Sequence, residues 1–130
     1  MRGIAWICFV VLSVISSAAV GQTHRYGPNV DLTGVLVTAT ADAKITIDEK
    51  PHSFSALQLL KPVNVLCGSA DKDCTPELGV MFLQLTMRGP QFEQFKKLQG
   101  KTVRVSGTLY HSETGHHFTS VLIDVRSITP

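Results

Sequence analysis

The sequence predicts an all-β domain with one short helix: an OB-like, five-stranded, partly open barrel. Three observations predict it. Short runs rich in Val, Leu, Ile and Thr recur along the chain. One amphipathic stretch precedes the last two of these runs, and glycines sit where strands in a barrel must coil. The alternative this pattern leaves open is an α+β open sheet with the helix on one face.

The N-terminal segment reads as an address. Arg2 supplies a positive start, Ile4 to Ile15 is an apolar run broken by Ser13, and small residues follow from Ser16 to Gly21. Cleavage after Ala19 or after Gly21 satisfies the small-x-small rule. The run is shorter than the roughly 20 residues that span a bilayer, so residues 1–21 read as a signal peptide that leaves no stable membrane span. The expected location is exported, periplasmic or secreted. Removing that segment takes away Arg2 and leaves 11 basic against 10 acidic residues, net +1. Cys8 leaves with it, so Cys67 and Cys74 remain and are expected to form one disulfide. Closing so short a loop stabilises by roughly 2.5 kcal/mol in the chain-entropy model.

The mature chain is read as a flexible lead-in, 22–30, followed by one domain, 31–130. Leu32 to Ala41 reads as a strand in which Gly34 marks a bulge or bend. Lys44 to Asp48, with Ile45 and Ile47 alternating, reads as another. Phe54 to Leu60 and Val63 to Cys67 are short runs separated by Pro62, which belongs at a strand start, an edge or a bulge. Gly68 to Pro76 reads as a polar loop, and Gly79 to Met87 as a strand. In Pro90 to Gln99, Phe92, Phe95 and Leu98 recur at helical spacing, with Pro90 in the first turn and Gly100 closing the helix. Phe54, Phe92 and Phe95 read as core. Thr102 to Tyr110 and Phe118 to Ile128 close the chain as a hairpin.

Matching the apolar faces of that hairpin opposes Val103 with Val125, Val105 with Ile123, Gly107 with Val121 and Leu109 with Thr119. The same register pairs Arg104 with Asp124, Tyr110 with Phe118 and His111 with His117, around a five-residue loop, Ser112 to His116. Two imidazoles then face each other at the barrel mouth, with Tyr110, Glu113, His116 and Thr119 beside them.

Composition limits what such a site does. A chain of 130 residues, 17% charged with net charge +2, lacks the clustered cations of a strongly basic nucleic-acid binder. A stacking platform for single strands needs more than the one pair Tyr110 and Phe118. No nucleophile-elbow, His-Glu-x-x-His or glycine-rich phosphate motif is present, so no enzymatic activity and no catalytic residue is expected. Asp71, Asp73 and Glu77 read as a solvated loop, without EF-hand spacing.

Three readings of the histidines remain. They hold the turn by hydrogen bonds alone, as in a structural accessory or inhibitor domain. Alternatively Tyr110, His111, Glu113, His116, His117 and Thr119 form a binding lip, because the loop between the last two strands is one wall of the OB binding face. As a third reading, His111, His116 and His117 hold a divalent metal, Zn or Cu; otherwise no cofactor is expected.

The stretches Leu57 to Val65, Leu83 to Leu85, Leu98 to His111 and Thr114 to Leu122 resemble a family of small exported bacterial domains of unknown function. Its signature is a Gly-x-Leu strand followed by Thr-Gly-His-His-x-Thr-x-Val. The signature falls on Gly107, Leu109, Thr114, Gly115, His116, His117, Thr119 and Val121. Phe118 stands where a further His or polar residue is expected, which shortens any histidine run available to a metal. The resemblance implies an exported OB-like barrel and supplies no activity. The resulting expectation is a non-enzymatic binding module for a cell-envelope or extracellular ligand, working through residues 110–119.

Overall fold

Alternation of apolar and polar side chains, clearest over residues 29–37 and 102–110, forms long strands in a computed structural model that describes residues 22–68 and 73–130. Residues 1–21, read as the signal, and Asp71 lie outside the described residues. The elements are β1 (Gln22–Arg25), β2 (Asn29–Ala41), β3 (His52–Leu66), β4 (Glu77–Thr86), α1 (Pro90–Leu98), β5 (Thr102–His111) and β6 (Val121–Thr129). Five strands form a ring, β2-β3-β4-β6-β5 and back to β2, with α1 between β4 and β5 in the chain. The seam between β4 and β6 is parallel and only three pairs long, Gln84 with Leu122 through Thr86 with Asp124. The architecture is therefore an all-β, partly open barrel of OB-like order.

Leu36, Leu57, Leu83, Leu109, Ile123 and Val125 fill the interior, at most 1% exposed. Two glycines permit the curvature. A Cβ on Gly34 would collide with the carbonyl oxygen of Gln58, where β2 leaves β3, and one on Gly107 would collide with that of Asp124. Gly107 adjoins the irregularity in the β5–β6 pairing. Helix α1 buries Phe95 in the core, worth roughly 1.5–3 kcal/mol. The side chains of Gln91 and Gln94 donate to the carbonyls of Val125 and Ile128 (2.9 and 2.8 Å), satisfying acceptors along β6. Phe92, expected in the core, is 51% exposed on the helix's outer side.

Several expected elements take another form. Residues 22–30, read as a loose lead-in, supply β1, which runs parallel to β3 from Gln22 with Val63 to Arg25 with Leu66, and the start of β2. Lys44 to Asp48 is no strand: a 3-10 turn spans Ala43–Ile45, capped by the Asp42 carboxylate accepting from the Lys44 amide (3.0 Å). Ile45 and Ile47 are 64% and 74% exposed, so their alternation marks no buried face. The two runs around Pro62 are one strand, β3, and Pro62 falls where the pairing with β4 shifts between Gln58 and Val63. Without an N–H to donate, proline fits that break. Cys67 and Cys74 form the expected disulfide, with Cα atoms 5.9 Å apart.

Candidate functional site

The final hairpin is longer in its loop than the sequence reading allows. His111 pairs with Val121, Tyr110 with Leu122, Leu109 with Ile123 and Gly107 with Val125, whereas Arg104 pairs with Thr129 and Val105 with Ile128. Compared with the expected register, the pairs near the loop are displaced by four residues. An even displacement leaves Val121, Ile123 and Val125 facing inward, so the apolar pattern fits both registers equally. The loop is Ser112 to Ser120, and His117, Phe118 and Thr119 belong to it rather than to a strand. The expected pairs His111–His117, Tyr110–Phe118, Leu109–Thr119, Gly107–Val121 and Arg104–Asp124 do not form. Asp124 instead takes the Arg88 guanidinium (3.0 Å).

On one flank this loop folds onto the face opposite the core. Gln84 on β4 clamps it: the Phe118 amide donates to Gln84 Oε1 (2.6 Å), and Gln84 Nε2 donates to the His116 carbonyl (3.1 Å). The Gln84 amide donates to the Thr119 hydroxyl (2.9 Å), which donates onward to the Val121 carbonyl (2.6 Å). Phe118 packs on Phe54 (5.2 Å between centroids) and stacks on His52 (5.9 Å). His52 in turn meets both oxygens of Asp48 (2.7 and 2.8 Å), whose carboxyl is held below its ordinary pKa mainly by that hydrogen bond. Ile47 lies directly over Gly115, where a Cβ would displace its side chain. The β2–β3 and β5–β6 loops thus interlock.

His117 belongs to this closed flank. Its Nδ1 accepts from the amides of Glu113 (2.9 Å) and Thr114 (3.3 Å), its own amide donates to the Thr114 carbonyl (3.1 Å), and Tyr110 meets its ring edge-on at 5.6 Å. The Tyr110 hydroxyl bonds the Thr86 hydroxyl. His116 is exposed and borders a hollow of about 110 Å³ shared with Asp48 and His52.

His111 lies on the other flank, where β4 and β6 are not paired. Its Nε2 meets Glu77 Oε1 at 3.2 Å and its Nδ1 meets the Ser112 carbonyl at 3.2 Å, so both ring nitrogens face acceptors. Tyr26 meets the His111 ring edge-on at 6.4 Å. Burial, and secondly the Glu77 carboxylate, push the Tyr26 phenol above its ordinary pKa, keeping it neutral. Beside this group opens a cleft of about 600 Å³. Its walls come from three segments: Tyr26 before β2, the disulfide-tied turn Asp73 to Thr75, and Thr108 to Glu113 around the end of β5.

Residues 82–129 match the family model described as Domain of unknown function (DUF4431). No curated protein matches the chain. The matched segment contains Gln84, Tyr110, His111 and the whole β5–β6 loop.

Of the residues singled out in the sequence, Tyr110, His111 and Glu113 line the cleft, whereas His117 and Thr119 hold the loop in place. His111, His116 and His117 are not gathered into one ligand set. Among the described residues no three His, Cys, Asp or Glu side chains stand close enough to hold a metal ion. Sequence reasoning missed Tyr26, Glu77 and Gln84. The available signal for Glu77 was its place at the head of an apolar run, opposite Val65 in the register of β3 and β4. Nothing local in the sequence marks Gln84 as a clamp, because its partners lie 32 and 34 residues away.

Proposed function

We propose that this protein is a non-enzymatic binding module working outside the cytoplasm, with its ligand site in the cleft at the barrel mouth. The observation that supports this reading is convergence. Aromatic, imidazole and carboxylate residues from three segments line one concavity whose size suits a small molecule or the tip of a larger one. The Cys67–Cys74 disulfide fixes one wall and favours an oxidising compartment, which agrees with a ligand from the cell envelope or the extracellular space. Within residues 110–119 the working part is Tyr110, His111 and Glu113, because His117, Phe118 and Thr119 are engaged in packing the loop.

The test uses a thermal-shift screen of cell-envelope fragments against the mature chain, repeated on Thr75→Trp. Thr75 is exposed in the cleft wall, so the indole fills the concavity without entering the core. A compound that raises the Tm of the parent and not of Thr75→Trp supports the reading. Compounds that stabilise both proteins equally bind elsewhere and overturn it.

A further inference from the structure

We propose that the mouth cleft is selective for an organic cation, an amine or guanidinium carried by a small molecule or an extended chain. The inference rests on the cleft being the ligand site and adds the chemistry of what enters it. Two acidic residues, Asp73 and Glu113, line it from separate segments, and Glu77 stands behind His111. Among the described lining residues there is no Lys or Arg, although the chain as a whole carries more basic than acidic groups. The negative character is therefore local.

An aromatic ring completes the set. Tyr26, edge-on to His111, lines the cleft, and a neutral phenol ring attracts a desolvated cation through its face. Thr75, Thr108 and Ser112 belong to the same walls and carry hydroxyls that accept from N–H donors. A bare metal ion is the poorer match. The concavity is about 600 Å³, far larger than one ion needs, and the described carboxylates and imidazoles do not converge on a point. An anion fits no better, because it would meet two acidic residues and no Lys or Arg among the described lining residues.

The experiment is calorimetric titration of the mature full chain with a linear diamine, spermidine and arginine amide. A dicarboxylate, a neutral disaccharide and Mg²⁺ at matched ionic strength serve as controls. The expected result is saturable binding of the organic cations only, weakened about tenfold in Glu113→Gln and again in Asp73→Asn, and reduced by added salt. Both substituted side chains are exposed, so folding is retained and checked by Tm. Saturable binding of the neutral or anionic probe, blocked by Thr75→Trp, overturns the cation selectivity and leaves the binding-module reading standing. Equal heats from Mg²⁺, or cation binding unchanged in the double variant, mark a diffuse charge effect and overturn the selectivity as well. No saturable binding by any probe in this set overturns the selectivity alone, and the envelope-fragment screen then decides the broader reading.

Discussion

The two flanks of the β5–β6 loop put similar residues to opposite use. On the closed flank, His117 accepts two backbone amides, contacts Tyr110 and sits in a loop clamped by Gln84 and stacked through Phe118. On the open flank, His111 meets one half-exposed carboxylate and one carbonyl beside a cleft. Proximity in sequence is therefore a poor guide to shared chemistry here. One imidazole completes the scaffold and the other faces what enters it. The comparison also separates two kinds of consequence, since damage to the closed flank should register as lost stability, and damage to the open flank as lost binding.

The largest effect belongs to the scaffold that both flanks share. Gly107→Ala places a methyl against the Asp124 carbonyl oxygen, a backbone atom that moves only with β6. We expect about 3 kcal/mol of destabilisation in denaturant unfolding, at the upper end of overpacking costs. A change below about 0.5 kcal/mol would show that β5 and β6 separate freely at that point. Next comes the covalent wall of the cleft. Replacing both Cys67 and Cys74 with Ser should cost about 2.5 kcal/mol. It should also weaken ligand binding, while amide exchange of the clamped loop stays slow; faster exchange at Phe118 would show that the two flanks are coupled.

The contrast is sharpest in Gln84→Ala and the paired histidine variants. Gln84→Ala removes two side-chain hydrogen bonds to the loop, and at about 1 kcal/mol each the loss is about 2 kcal/mol. His117→Ala leaves two amides without their acceptor and should cost about 1–2 kcal/mol. His111→Ala disturbs only an exposed pair and should stay within about 0.5 kcal/mol. Equal losses from the two histidine variants would dissolve the distinction between the flanks.

Much of this architecture was legible beforehand, for identifiable reasons. The helix from Pro90 has a proline start, a three-residue apolar repeat and a closing glycine, all local signals. The disulfide followed from cysteine arithmetic, and Gly34 from its presence inside an apolar strand. What failed was information of longer range. Val121, Ile123 and Val125 face inward in either hairpin register, so alternation fixed their face but not their partners. The ends of such a loop are set by contacts from other strands, here Gln84 on β4, which no hairpin pattern contains. Ile45 and Ile47 misled in the opposite sense: their spacing mimics a strand, yet Asp42 caps a turn there, and Ile47 serves to cover Gly115. At the mouth, Tyr110, His111 and Glu113 stood out as polar groups near a turn, whereas Tyr26 and Glu77 reach the same place from distant segments of the chain.

The smallest expected effect lies where the two loops interlock. His52 lowers the Asp48 carboxyl below its ordinary value of 3.8, chiefly through their hydrogen bond. A depressed carboxylate pKa means that this contribution is present above that ordinary value and is lost as pH falls through the lower, folded one. The pair is exposed, so the contribution is slight and screened by salt. The Tm of the parent should exceed that of Asp48→Asn by a small, constant margin above about pH 5, a margin that shrinks to nothing at strongly acid pH. His52→Ala should shrink the margin, leaving the part due to the Lys50 amide (3.2 Å from Asp48 Oδ1), while ligand binding in the cleft stays unchanged, because His52 packs on Phe118 rather than on His111. Impaired binding in that variant would mean that the closed flank governs the open one through the loop they share.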